Sequence, residues 1–206
     1  MKKLFSSVGL ALISLGYSYA NEHKHNLISV HALNPRIVLN IKYATADNFM
    51  HKKLYSTSQC YVHTALGERL TAIQQELETL GLGLKIFDAY RPLSLEETIR
   101  VAAPEEAYVS ATPTGCAHNR GTAVDVTLVK ADGSEIIMPS EYDEFTLKTR
   151  RSYTSAVQTA LSNRDLLEKL MVKYGFISYD TNWWHFELPH SEHYPLLDIS
   201  FEDLAR

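Results

Sequence analysis

The 206-residue sequence has little of several features that would have pointed to other classes of protein. Acidic residues outnumber basic ones by 24 to 20, which argues against nucleic acid or an anionic membrane surface as a partner. Only two cysteines occur, so at most one intrachain disulfide is possible. After residue 20 there is no second long apolar run, and no repeat, linker or low-complexity segment divides the chain. One globular domain is therefore the simplest interpretation.

The start of the chain has the pattern of a secretory signal peptide. Met1–Lys3 is basic, and Leu4–Gly16 is an apolar run interrupted only by serines and glycines. Ser18 and Ala20 place small residues at the two positions that a signal peptidase reads, so cleavage is expected after Ala20. The apolar run is shorter than the ~20 residues that a membrane-spanning helix needs. We therefore expect a signal peptide at residues 1–20, a mature domain at 21–206, a periplasmic or secreted location, and no stable membrane insertion after cleavage.

The two cysteines, Cys60 and Cys116, would enter an oxidising compartment, where they could form a disulfide. Cys116 also lies two residues before His118, so a thiol beside a metal is an alternative. A buried structural thiol is the third. The choice depends on the separation of the two Cα atoms, which the sequence does not fix.

Apolar periodicity predicts an α+β domain with a small antiparallel sheet flanked by helices. Leucine or isoleucine recurs at spacings of three and four from Leu66 to Leu80, which is typical of an amphipathic helix. Alternating residues predict an edge strand at Ile37–Tyr43. Further predicted elements include a buried strand at Leu84–Asp88, a helix at Leu93–Ala102, a second amphipathic helix at Asn163–Tyr174 and a strand at Trp183–Leu188.

The most informative stretch runs from Cys116 to Leu128, where a polar loop becomes an alternating strand. Val124, Val126 and Leu128 would face one side of that strand, and Asp125 the other. This register puts the Asp125 carboxylate on the same side as a loop that carries His118. With a second imidazole from His185, the three side chains would form a hydrolytic zinc site with its fourth position open. Spacing alone does not exclude that His118 is a hydrogen-bonded structural residue.

Six segments of the mature chain, in this order, resemble the VanX-type D-alanyl-D-alanine dipeptidases. These are zinc enzymes that share a fold with other D,D-peptidases and the Hedgehog signalling domain. The segments are Tyr43–Phe49, Asp88–Pro92, His118–Asp125, Met138–Pro139 with Asp143–Phe145, Trp183–Phe186 and Tyr194–Ile199.

The resemblance implies one zinc ion per chain, held by His118, Asp125 and His185. It also implies that a zinc-bound water attacks the peptide carbonyl of D-Ala-D-Ala while Arg91 stabilises the oxyanion. The expected partner is thus a small D-amino-acid dipeptide or a peptidoglycan fragment. A D,D- or L,D-carboxypeptidase that acts on longer stem peptides is the alternative within enzymes.

The substrate would contact several side chains around the metal. We expect Cys116, Tyr90, Trp184 and Asp143 to bind it. Asp143 could hold the substrate ammonium group, although a solvated loop residue explains it equally well.

Two residues depart from the family pattern. Cys116 stands where the family has serine, and Asn182 stands where the family has its catalytic glutamate. Because an amide has no titratable group near neutral pH, Asn182 cannot act as a general base. Three interpretations stay open: Asp180 or another carboxylate such as Glu187 replaces the base, hydrolysis proceeds slowly without one, or the chain binds D-Ala termini without cleaving them.

Overall fold

The computed structural model describes residues 25–103 and 115–206. The predicted signal peptide at residues 1–20 lies outside the described residues. Within them, no helix is both long and apolar enough to cross a bilayer. The fold is α+β, as predicted, with helices packed around a small sheet.

Within the described residues, seven strands form two sheets. The strands are β1 (Leu27–Ser29), β2 (Val38–Leu39), β3 (Tyr61–His63), β4 (Leu82–Asp88), β5 (Ala123–Lys130), β6 (Ile177–Ser178) and β7 (His185–Glu187). β1 pairs with β3 in a two-stranded antiparallel sheet. The main sheet has the order β2-β4-β5-β7-β6 and is antiparallel except for the β2–β4 pair, which is parallel.

Five α-helices accompany the sheets in the described residues. They are α1 (Val30–Leu33), α2 (Thr64–Glu78), α3 (Leu93–Ala102), α4 (Gln158–Lys173) and α5 (Phe201–Leu204). Short 3-10 turns occur at Lys42–Ala44, Ala117–Arg120, Leu147–Thr149 and Ser191–His193. α2 packs against β4 and α4 against β5, so the two longest helices cover the central strands of the main sheet.

The central strand β5 separates the apolar core from the polar side of the main sheet. Val124, Val126 and Leu128 belong to the core, and each is at most 1% exposed. Asp125 and Thr127 alternate with them and are buried outside that apolar cluster. The alternation predicted for this strand is therefore confirmed, and it decides on which side the polar chemistry lies.

Several local predictions were wrong at their boundaries, including the strand expected at Trp183–Leu188, which spans only His185–Glu187. The expected edge strand at Ile37–Tyr43 is a strand only at Val38–Leu39, because the chain turns into a 3-10 helix at Lys42. Leu80 is 56% exposed rather than core, since α2 ends at Glu78. α4 begins five residues earlier than Asn163, at Gln158.

Candidate metal centre

The structure brings the three predicted ligands together. Asp125 on β5 and His185 on β7 are direct partners in the antiparallel register, and His118 lies on the 3-10 turn that leads into β5. Asp125 Oδ1 lies 2.9 Å from His185 Nδ1 and 3.5 Å from His118 Nε2. One ligand atom from each residue lies within 4.8 Å of the other two. Two imidazoles and one carboxylate thus converge at one end of the sheet.

Hydrogen bonds around this group orient both imidazoles. His118 Nδ1 lies 2.7 Å from the carbonyl oxygen of Ala89, to which it can donate, so that Nε2 faces Asp125. His185 presents Nδ1 to Asp125, and its Nε2 lies 3.9 Å from Glu187 Oε2. The His118 nitrogen that does not face the group therefore has a hydrogen-bond partner, as metal-binding histidines generally have, whereas the corresponding nitrogen of His185 lies near a carboxylate beyond hydrogen-bond distance.

The carboxylate of Asp125 is held ionised. Burial alone would raise the pKa of Asp125, but His118 and His185 outweigh it and hold that pKa far below its usual range. Tyr142 donates a hydrogen bond of 2.9 Å from its hydroxyl to Asp125 Oδ2. Burial lowers the pKa of His185, but its interactions with Asp125 and Glu187 raise it to about 9. A proton on His185 thus balances part of the negative charge of Asp125 and Glu187, as a bound cation would.

The donor set fits zinc. Two nitrogen ligands and one oxygen ligand, preset in orientation by Ala89 and Tyr142, correspond to catalytic zinc sites, which use three protein ligands and leave one position open. A cation at this point would also compensate the buried Asp125 charge, which is the condition under which a buried carboxylate is tolerated.

Arg91 is fixed next to this group by two buried ion pairs. Its Nη2 lies 2.7 Å from Asp88 Oδ2 and its Nη1 lies 3.0 Å from Glu96 Oε2. The backbone N–H of Arg91 donates to the carbonyl of His118 at 3.1 Å, which joins the arginine to the 3-10 turn that carries His118. Asp88 is also the register partner of Asp125 across β4 and β5. The guanidinium is therefore held in one place beside the predicted ligands.

Cys116 lies in the same buried network. Its Sγ is 3.5 Å from Glu96 Oε2, and its backbone N–H donates to Asn119 Oδ1 at 2.8 Å. Burial raises the pKa of the Cys116 thiol to about 12, so the thiol stays protonated at neutral pH. Both Cys60 and Cys116 are free thiols in the structure, and no disulfide joins them.

Asp143 lies next to Tyr142 on the loop that reaches Asp125. It accepts a hydrogen bond of 2.9 Å from the Tyr43 hydroxyl, and the Tyr43 ring lies 5.5 Å from the Arg91 guanidinium. Burial and the nearby Asp125 charge raise the pKa of Asp143 to about 7. A half-buried carboxylate with a raised pKa is suited to receive a cationic group of a ligand.

Two other residues that were predicted to bind the substrate, Tyr90 and Trp184, make structural contacts. The Tyr90 hydroxyl donates to the carbonyl of Ile199 at 3.1 Å and accepts from the Ile199 N–H at 2.8 Å, which holds the C-terminal segment. Trp184 is 3% exposed, and its ring packs 5.2 Å from that of Tyr142. Trp184 thus contacts Tyr142, which donates to Asp125, whereas the Tyr90 hydroxyl is bound to the backbone of Ile199.

The structure does not bring Asp180 into the ligand group. Its carboxylate accepts from the Ser152 N–H at 2.7 Å and pairs with Arg150 at 3.2 Å, and these partners keep its pKa below the usual value. Asn182 is half-buried in the turn before β7, and its carbonyl lies 3.4 Å from the backbone nitrogen of His185. It lies three residues before His185, as the sequence register has it.

Three residues that organise this centre were not predicted to do so from the sequence: Tyr142, Glu96 and Ala89. Glu96 had a usable signal, since an acid five residues after Arg91 falls in the first turn of α3. Tyr142 and Ala89 act through long-range contacts, and the Ala89 contact uses only its backbone. A second group, His190, Glu192 and His193, also offers three close ligand atoms but is fully exposed.

Comparisons with known proteins identify the family. A family model described as D-ala-D-ala dipeptidase matches residues 23–203. The D-alanyl-D-alanine dipeptidase of Escherichia coli (strain K12) is 35% identical over 179 residues, which cover 85% of this chain and 91% of that protein. The corresponding enzymes of Enterococcus faecalis and Streptomyces coelicolor are 31% and 28% identical, over 71% and 74% of this chain and 83% and 86% of theirs. The chain belongs to the D-ala-D-ala dipeptidase family of peptidases.

Proposed function

We propose that this chain is a zinc-dependent dipeptidase that hydrolyses D-Ala-D-Ala. The observation that carries the proposal is the convergence of His118, Asp125 and His185 within 4.8 Å of one another. It is supported by relatives that are named for this activity and are similar over most of their length. Zinc held by these three residues would polarise the peptide carbonyl and lower the pKa of a bound water.

The side chains around the ligands have separate roles in this proposal. Asp143, as an anion, receives the substrate ammonium group and so selects a free N-terminus. Arg91 stays protonated at any physiological pH and stabilises the negative charge that develops on the carbonyl oxygen. Asp88 and Glu96 keep the guanidinium in position, so little reorganisation accompanies the reaction.

Asn182 limits the rate in this proposal. The resemblance places a catalytic glutamate at this position, and general base catalysis typically contributes about 10²–10⁴-fold. Asp180 is engaged with Ser152 and Arg150, and Glu187 is engaged with His185 and with the Tyr179 hydroxyl. We therefore favour slow hydrolysis without a dedicated carboxylate base over replacement by either residue.

Asn182 also supports a second candidate function, in which the chain binds D-Ala termini through the same metal without cleaving them.

For either function we propose a periplasmic or secreted location and a role in peptidoglycan turnover, since D-Ala-D-Ala occurs in cell-wall precursors. A carboxypeptidase acting on longer stem peptides is less favoured, because Asp143 would then have no ammonium group to receive.

The experiment is to incubate the mature, zinc-loaded protein with D-Ala-D-Ala and to measure free D-alanine. Slow release is expected, and Asn182→Glu should raise kcat by about 10²-fold or more because it restores a base. Asn182→Gln is the matched control, since it adds the same length without a titratable group. Release that only Asn182→Glu produces would support the binding function. Release by neither protein would reject dipeptidase activity.

A further inference from the structure

A separate cavity with a volume of about 470 Å³ opens beside the metal-ligand group on the same face of the main sheet. Thr127 lines it, and Thr127 lies two residues after Asp125 on β5, so both side chains point to one face. Tyr142 and Asp143 also line it, whereas His118, Asp125 and His185 do not. The segment that carries Tyr142, which donates to Asp125, is thus one wall of this cavity.

The inner end of this cavity is cationic. Lys85 is the register partner of Thr127 and is only 6% exposed. The ammonium groups of Lys85 and Lys42 lie 5.2 Å and 5.9 Å from the centre of the Phe87 ring. Two amines therefore flank one aromatic ring inside the cavity.

The counter-ions of these two lysines lie at the rim. Lys85 pairs with Glu135 and Lys42 with Asp47, and both acidic side chains are 76% exposed. An ion pair with one exposed, mobile partner contributes little to stability, so either carboxylate can be exchanged for that of a ligand at low cost. Packing therefore holds the two lysine side chains in position, whereas the exposed side chains of Glu135 and Asp47 are free to move away.

Thr127 supplies an independent observation. Its hydroxyl is buried and has no hydrogen-bond partner among the residues that the structure describes. A buried hydroxyl without a partner is unfavourable and rare in folded proteins. Thr127 lines the cavity next to Lys85, and a ligand oxygen that reached its hydroxyl would satisfy it.

We propose that this cavity binds a small organic monocarboxylate whose carboxylate reaches Lys85 and Thr127 and whose apolar body lies along the cavity wall. Phe87, Ile136 and Met138 supply that apolar wall. The rim also carries Asp47, Glu135 and Glu141, which would repel a second negative charge and so favour a monoanion over a dianion. The cavity shares Tyr142 and Asp143 with the surroundings of the proposed dipeptide site, but none of the three proposed metal ligands lines it.

Binding of hexanoate to the full mature protein tests this proposal, with hexan-1-ol and hexylamine as neutral and cationic probes of similar length. The chain has two tryptophans, and Trp183 lines the cavity, so tryptophan fluorescence reports its occupancy. Hexanoate should give a saturable change that is at least about tenfold weaker in Lys85→Met. Thr127→Val should also weaken binding, with little change in volume. Lys173→Met, at an exposed lysine paired with Glu76, is the matched control.

Three results would overturn the site. These are no saturable response to hexanoate, hexylamine binding as tightly as hexanoate, or equal hexanoate affinity in the wild type, Lys85→Met and Thr127→Val. His118→Ala separates the cavity from the metal centre. Retained hexanoate binding in that variant supports the cavity, whereas lost binding assigns the carboxylate to the metal centre and rejects the proposal.

Discussion

Arg91 shows how single residues determine the chemistry of this centre. A buried guanidinium is tolerated only with charged partners, and here Asp88 pairs with one terminal nitrogen and Glu96 with the other. Glu96 Oε2 also accepts from Asn119 Nδ2 at 3.2 Å and lies 3.5 Å from the Cys116 thiol. One carboxylate therefore links the predicted oxyanion residue, the turn that carries His118 and the position at which the family has serine.

Glu96→Gln should lower the free energy of unfolding by about 1–3 kcal/mol, because it weakens a hydrogen bond between two charged, buried groups. Glu97→Gln is the matched control one residue along α3, since Glu97 is exposed and pairs with Arg100 at the surface. Denaturant unfolding of both variants provides the measurement. Equal stability of the two would show that Glu96 does not secure Arg91.

His185 should make the stability of the metal-free protein depend on pH. Its folded-state pKa of about 9 lies above the ordinary value of 6.5, so its contribution is complete below about pH 6.5 and is lost as the pH rises through 9. The loss should reach at most about 3 kcal/mol. Unfolding of chelator-treated protein across this range, compared with His185→Ala, measures it. A wild-type curve parallel to that of the variant would contradict the assignment.

At the scale of elements, the metal centre depends on how the turn Ala117–Arg120 joins β5. Gly121 ends this turn with φ of 67°, and its carbonyl accepts from the His63 N–H at 2.7 Å. A Cβ added here would lie 2.5 Å from Leu27 Cδ2 and 3.0 Å from the backbone nitrogen of His63. Only glycine meets both requirements without strain.

Gly121→Ala should therefore lower the free energy of unfolding by about 1–3 kcal/mol, and it should weaken metal retention by displacing His118. Gly133→Ala is the matched control, because Gly133 also has a positive φ but has nothing within 4 Å of an added Cβ. Thermal unfolding and zinc content measure the two effects. If both variants lost zinc to the same degree, close packing at Gly121 would not be what positions His118.

The sequence was most informative about individual helices and strands. The spacing of Leu66, Leu70, Ile73 and Leu77 predicted α2, and alternation predicted which side of β5 carries Asp125. Both signals are local and periodic. The parallel β2–β4 pair and the early start of α4 were missed, because pairing partners and helix ends depend on tertiary contacts.

Across the whole molecule, the sequence indicated the three ligands but not what surrounds them. His118, Asp125 and His185 carry side chains whose chemistry is recognisable in the sequence. The Ala89 carbonyl and the Tyr142 hydroxyl complete the centre through contacts 29 and 17 residues apart in the chain. No local pattern encodes such contacts. The cavity around Lys85 was missed for the same reason, since its walls come from strands and loops distant in sequence.

The central claim is that His118, Asp125 and His185 hold one zinc ion. Zinc content per chain, measured by mass spectrometry after dialysis of the mature protein and of Asp125→Ala, tests it most directly. His190→Ala is the control for the exposed group of His190, Glu192 and His193. We predict about one zinc per chain in the wild type and in His190→Ala, and almost none in Asp125→Ala. A wild-type protein that retains no zinc, or an Asp125→Ala variant that retains as much as the wild type, would contradict the account.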